Sequence, residues 1–105
     1  MPTDTACWGE LPVSAGDVPC IIRLGGAVER LAVVTDVRPN LMASPSGETF
    51  RWPFSRMWVG DVAVLHYGPM PQRGAHSYAR ASRRKFRTGM HRMGGSDVLI
   101  VERLE

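Results

Sequence analysis

The residues best suited to chemistry are seven cations that share one stretch of chain without an acid. Residues 62–96 hold six Arg, one Lys and neither Asp nor Glu, whereas the rest of the chain holds ten acids and six Arg. Guanidinium groups bind phosphates and carboxylates in a planar fork, and several cations together release counterions from a polyanion. The stretch therefore predicts contact with nucleic acid or a ribonucleoprotein. The alternatives are an acidic protein partner and a face that meets only solvent.

The spacing of these cations favours a helix. On a helical projection one side carries Ala75, Ala79, Ser82, Phe86, Met90 and Met93. Arg80, Arg83, Arg84 and Arg87 occupy another side at i, i+3, i+4 and i+7. Ser77 suits an N-cap and Thr88-Gly89 a C-terminal stop, which predicts a basic helix over residues 78–88. We expect the partner to be contacted by Arg73, Arg80, Arg83, Arg84, Lys85, Arg87, His91 and Arg92.

A second candidate surface lies in residues 51–58, where three aromatic rings alternate with two Arg. An exposed ring beside arginine can stack on a nucleobase or anchor a protein partner. Bulky rings also fill the core of a small domain, and that interpretation is favoured for Phe50 and Trp52. Both interpretations stay open for Phe54 and Trp58. The candidate aromatic platform consists of Phe54, Trp58, Arg51 and Arg56.

Catalysis is the third hypothesis. A metal-independent ribonuclease needs an acid, a base and cations at the phosphate, for which the chain offers His76, Tyr78, Arg80, Arg83 and His91. A nucleophilic pair of Cys20 with His66 is a weaker alternative. None of these spacings is diagnostic, and the spacing of Cys and His fits no zinc site. We therefore expect a non-enzymatic protein with no catalytic residue, no cofactor and no metal.

Length and composition narrow the class of protein. With 105 residues, 44% of them hydrophobic, the chain should form a single domain. No apolar run approaches the ~20 residues of a membrane helix, and the acidic start of the chain is unlike a secretory signal. We therefore expect a cytoplasmic protein with no membrane contact, in which Cys7 and Cys20 are free thiols. The oligomeric state is open.

Short strands should position these residues. Gly25-Gly26 predicts a hairpin between strands 18–24 and 27–38, with a bulge or bend in the longer one. Residues 44–47 predict a turn between strands 41–43 and 48–52, and residues 53–59 a turn or one helical turn. Strand 62–67 follows, and strand 97–103 should be central or covered on both faces because residues 98–101 are all apolar. The organisation is thus a polar leader (1–16), a β core (18–67), a basic helical insertion (73–93) and a final strand (97–103).

One segment resembles a known family. Residues 60–69 read Gly-Asp-Val-Ala-Val-Leu-His-Tyr-Gly-Pro, with Gly74 five positions later. This is similar to the opening of KOW-type SH3-like barrels, which bind RNA or ribosomal and transcription proteins, and to that of MazF-type toxins, which cleave RNA. The chain lacks the later Gly-x-Val of the former and the Arg-Pro-Ala-rich strand of the latter, so no functional residue is carried over.

The resemblance and the strand pattern together imply a fold. We expect a β-rich α+β domain, either a small SH3-like barrel or a bent antiparallel sheet of five to six strands. One basic helix should precede the last strand.

Overall fold

The fold is strand-rich α+β, as expected. The structure is a computed structural model that describes residues 11–35 and 41–105. Its elements are β1 (Cys20–Ile22), β2 (Val28–Arg30), β3 (Ala32–Thr35), β4 (Leu41–Ala43), β5 (Thr49–Phe50), β6 (Val62–His66), α1 (Pro69–Ser82), β7 (Phe86–Met93) and β8 (Ser96–Arg103). Two 3₁₀ turns span Ala15–Asp17 and Pro53–Arg56. The helix precedes the last two strands rather than the last one.

The strands form two antiparallel sheets. The larger has the order β2-β1-β6-β8-β7, and the smaller has the order β3-β4-β5. No closed barrel is present in the described part of the chain, so the SH3-like barrel is not confirmed. Strand β8 lies between β6 and β7, and its residues 98–101 are buried on both faces. The prediction of a central strand is confirmed.

The two turns predicted from the sequence are present. Around Gly25-Gly26, strand β1 pairs antiparallel with β2, and both glycines have φ of 103°. The predicted return strand bends at Leu31, a buried residue whose N–H donates to Pro19 O at 2.9 Å. That bend sends β2 and β3 into different sheets; together with β7, for which the sequence predicts a helix, it brings the strands among the described residues to eight. In the second turn, Gly47 N–H donates to Ser44 O at 2.9 Å.

The core lies on both sides of the five-stranded sheet. One side holds Phe54, Leu65 and Leu99 under α1 and the smaller sheet. Cys20, Val64 and Ile100 belong to the core cluster on the other side, against which Leu11 and Val13 pack. The end of the predicted polar leader is therefore part of the packed domain. Residues 1–10, with Cys7, and residues 36–40, which end the predicted strand 27–38, lie outside the described residues.

The predicted basic helix over residues 78–88 is wrong in its second half. Helix α1 begins at Pro69, where proline is tolerated because the first helical N–H groups have no partner. It ends at Ser82 and is capped by Arg83, whose φ of 59° is left-handed, so Ser77 is inside the helix rather than at its cap. Residues 86–93 instead pair along their whole length with β8 around Gly94-Gly95. Thr88 and Gly89 therefore lie inside a strand.

Candidate nucleic-acid interface

Helix α1 presents one cationic face. Arg73, His76, Ser77 and Arg80 follow the i, i+3, i+4, i+7 spacing and are all exposed. Arg83 follows at the end of the helix, also exposed. Among the described residues, Arg73, Arg80 and Arg83 form no ion pair. These three residues are called the basic strip below.

The opposite face of α1 holds the helix on the sheet. Ala75 is fully buried, and the ring of Tyr78 packs against those of Phe54 and Phe86, with centroids 6.3 and 5.9 Å away. The position of the basic strip is therefore set by packing and does not depend on its own charges.

Residues 83–85 form a basic turn between α1 and β7. The Arg84 guanidinium donates to Tyr78 Oη at 3.0 Å and lies 5.7 Å from the centroid of that ring. Lys85 Nζ lies 3.6 Å from Glu105, with both side chains mostly exposed. Exposed pairs of this kind contribute little, so Lys85 can exchange its partner for a phosphate.

The cations of β7 are arranged differently from the prediction. Arg87 pairs with Glu102 at 2.6 Å and Arg92 with Asp97 at 3.5 Å. Cross-strand partners share a face of a sheet, so Arg87 lies on the side away from α1 and Arg92 on the side of α1. The expectation that Arg80, Arg83, Arg84 and Arg87 share one helical face is wrong, because residue 87 is in a strand.

The histidines do not converge. His91 pairs with Val98 and faces the side of the sheet away from α1, whereas His76 lies on α1 itself. Burial, together with the nearby Asp17 carboxylate, raises the pKa of the Cys20 thiol to about 11. This thiol is protonated at neutral pH and is a poor nucleophile. Nowhere in the described ranges do three or more His, Cys, Asp or Glu side chains form a group that could hold a metal ion.

Of the candidate aromatic platform, only Trp58 has an exposed ring. Phe54 is fully buried, so its assignment to a surface platform is wrong: it fills the core between sheet and helix. Arg56 pairs with Glu29 at 2.9 Å and lies 5.0 Å from the ring centroid of Phe50. Arg51 is exposed.

Asp61 organises the loop that carries Trp58. Its carboxylate is 1% exposed and accepts hydrogen bonds from Trp58 N–H (2.8 Å), Leu24 N–H (3.0 Å) and the Arg23 guanidinium (2.7 Å). Burial alone would raise the pKa of Asp61, but these three donors outweigh it and hold the pKa below its usual value. Arg23 also pairs with Glu29, and Arg56 pairs with both Glu29 and Glu48. Two arginines and three carboxylates therefore form one connected network beneath the Trp58 loop.

Above this network lies an apolar cavity. Trp58 is 74% exposed, and the Arg23 guanidinium lies 5.8 Å from its ring centroid. Leu24 (76% exposed) and Val59 (52%) stand beside it. These residues and Asp61 line a half-open cavity of about 460 Å³, called the Trp58 cavity below. Leu24 belongs to the predicted strand 18–24, but β1 ends at Ile22, so Leu24 lies in the loop that follows it.

The Trp58 cavity and the basic turn lie at the same end of the sheet. Arg103 connects to the Trp58 loop, because its guanidinium donates to Met57 O at 2.6 Å and its carbonyl accepts from Gly60 N–H at 2.9 Å. Its neighbour Leu104 donates its N–H to Lys85 O at 2.7 Å. Residues 103–104 therefore join the two features into one surface.

The chain matches no protein-family model, no curated protein and no solved structure at a significant level. In the described part of the chain, α1 is neither long enough nor apolar enough to cross a membrane.

Proposed function

We propose that the protein is a non-enzymatic accessory protein that docks on nucleic acid or a ribonucleoprotein through the basic strip and the basic turn. The observation that carries the proposal is that Arg73, Arg80 and Arg83 are exposed and form no ion pair among the described residues. Cations without an internal partner keep their full capacity to replace the counterions of a polyanion.

The conformation of Arg83 supports the same proposal. It ends α1 with a φ of 59°, a conformation that glycine adopts at no steric cost and that other residues adopt at a cost of about 1 kcal/mol or more. Strain of this kind is often retained where the side chain has a function. Here that function is to extend the cations of α1 toward the basic turn.

Phosphate fits this helix face better than an acidic protein does. Between Arg73 and Arg80 the exposed positions are His76 and Ser77, and neither is a large apolar side chain. Protein interfaces take most of their binding energy from buried aromatic and arginine anchors at their centre. A purely polar, cationic strip is typical of phosphate contact, which positions a nucleic acid without reading its bases.

The test is equilibrium binding of labelled single-stranded and duplex probes, about 20 nucleotides long, at about 50 mM salt. We expect Arg80→Gln to weaken single-strand binding about eightfold, the counterion term for one lost phosphate contact at that salt concentration. Arg30→Gln is the matched control, because it removes the same charge from β2, where Arg30 pairs with Asp17. Equal effects of both variants, or no binding of either probe by the wild-type protein, would overturn the proposal.

A further inference from the structure

We infer that the nucleic acid docked at this surface is single-stranded, and that one of its bases stacks on Trp58 inside the Trp58 cavity. The inference rests on the proposed function and adds to it the class of nucleic acid and a subsite for a base.

The indole of Trp58 is prepared for stacking. The Arg23 guanidinium supports it from one side, at 5.8 Å from the ring centroid, and 74% of the side chain is open to solvent. Arg23 is in turn fixed by Asp61, Glu29 and the carbonyl oxygen of Arg56. The guanidinium that contacts one face of the indole is therefore held in place. Trp58 then loses little conformational entropy when a planar ligand stacks on the ring.

The walls and floor of the cavity suit a nucleobase. Leu24 and Val59 give it apolar walls. At the floor, both oxygens of Asp61 already accept hydrogen bonds, one of them from Arg23. The floor therefore offers no free group that could read a base edge. We expect stacking that tolerates any base.

The Trp58 cavity lies near the cations of the basic turn, which would hold the phosphates of the same strand. Strand β8 alone separates β6, which follows the Trp58 loop, from β7, which follows the basic turn. Two strand spacings amount to about 10 Å, a span that a short stretch of single strand covers. A backbone held at Lys85 and Arg83 can thus place a base on Trp58. In a duplex the bases are stacked and paired, so a base must first be unpaired and unstacked before it can reach Trp58.

The experiment compares (dT)12, (rU)12 and a duplex of the same length on the full chain by fluorescence anisotropy. Trp58→Ala should weaken binding of both single strands about 5- to 100-fold, the range for loss of one stacked base. Trp58→Phe should keep most of the affinity because it keeps a ring. Tyr67→Ala is the matched control: it removes a ring that is 49% exposed just beyond the other end of β6, and it should change nothing.

Two further readouts separate stacking from other effects. The slope of binding against salt should be the same for Trp58→Ala and wild type, because stacking releases no counterions. A (dT)12 probe with one 5-iodouracil should photocrosslink to Trp58 in the wild-type protein. This crosslink needs no variant, so it decides the question even if Trp58→Ala is less stable.

Three results would overturn the inference. Unchanged single-strand affinity in Trp58→Ala, with the loss in Arg80→Gln intact, would refute the subsite and leave the proposed function standing. A duplex bound as tightly as the single strands would do the same. No binding of any probe by wild type would refute both, and the Trp58 cavity would then fit an apolar side chain of a protein partner.

Discussion

At the scale of single residues, the buried carboxylate of Asp61 determines the position of the exposed Trp58 ring. Asp61 accepts the N–H groups of both Trp58 and Leu24, which belong to different loops. A buried ion is stable only when its hydrogen bonds and countercharge replace water, and here the replacement groups come from the walls of the cavity. The shape of the Trp58 cavity is thus linked to the ionisation of Asp61.

Asp61→Asn should lower the free energy of unfolding by about 2–4 kcal/mol at pH 7. Removing one partner of a buried ion pair costs about 3–5 kcal/mol, and Arg23 keeps Glu29 as a second partner, which reduces the loss. Urea unfolding of the variant and of wild type measures the difference. A loss below about half a kcal/mol would show that the Asp61 network does not hold the two loops.

The same residue should make stability sensitive to acid. Because folding lowers the pKa of Asp61, its contribution is present above the unfolded pKa of about 3.9 and is lost as pH falls through the lower folded pKa. We expect unfolding free energy to decrease more steeply below about pH 4 in wild type than in Asp61→Asn. Parallel pH profiles from pH 7 to pH 2 would contradict this expectation.

Arg83→Gly should stabilise the fold and weaken nucleic-acid binding. Glycine removes the left-handed strain at the end of α1, which should raise the free energy of unfolding by about 0.5–1 kcal/mol. The same change removes one cation from the basic strip. Thermal unfolding measures the change in stability, and (dT)12 binding on the same preparation measures the change in affinity. A variant that gains stability without losing affinity would show that Arg83 does not contact the nucleic acid.

At the scale of elements, the hairpin of β7 with β8 shows where sequence-based prediction succeeds and where it fails. Gly25-Gly26 and Gly94-Gly95 are the same dipeptide, yet only the first is predicted to form a hairpin. Phe86 and Met90 fit a helical stripe at i, i+4 and equally fit one face of a strand. Strand β8 decides between them: its buried backbone needs hydrogen-bond partners along both edges, and β6 supplies them along only one.

The contact of α1 with Trp52 can be tested at Gly74. A Cβ built on Gly74 would lie 2.7 Å from Trp52 Cε2, too close for the ring to stay in place. Gly74→Ala normally favours a helix by up to about 1 kcal/mol, but here we expect a net destabilisation of about 1–2 kcal/mol from overpacking. Urea unfolding of the variant and of wild type measures the change.

The control for this prediction is the double variant Gly74→Ala with Trp52→Leu. The smaller leucine side chain removes the clash, so introducing Gly74→Ala into the Trp52→Leu background should cost nothing or stabilise the helix. An equal cost in both backgrounds would show that the contact between α1 and Trp52 is not the cause.

At the scale of the whole molecule, the sequence predicted the cationic region but not which of its charges are free. The absence of acids from residues 62–96 is visible in the sequence. The pairing of Arg87 with Glu102 depends on the register of β7 on β8, which joins residues 15 positions apart. The exposure of Trp58 and the burial of Phe54 likewise depend on packing between the 3₁₀ turn, α1 and the sheet, and alternation along the chain does not determine it.

Arg73, Arg80 and Arg83 are exposed and form no ion pair among the described residues, so contacts of these cations with phosphates should appear in the salt dependence of (dT)12 binding. Each single-strand phosphate contact contributes about −0.7 to the slope of log K against log salt. With Arg84 and Lys85 contributing in part, the wild-type protein should show a slope of about −2 to −3.5. The variant with Arg73→Gln, Arg80→Gln and Arg83→Asn should be flatter by about 2, the sum for three lost contacts. A wild-type slope near zero, or an unchanged slope in the triple variant, would show that these three arginines do not contact the phosphates.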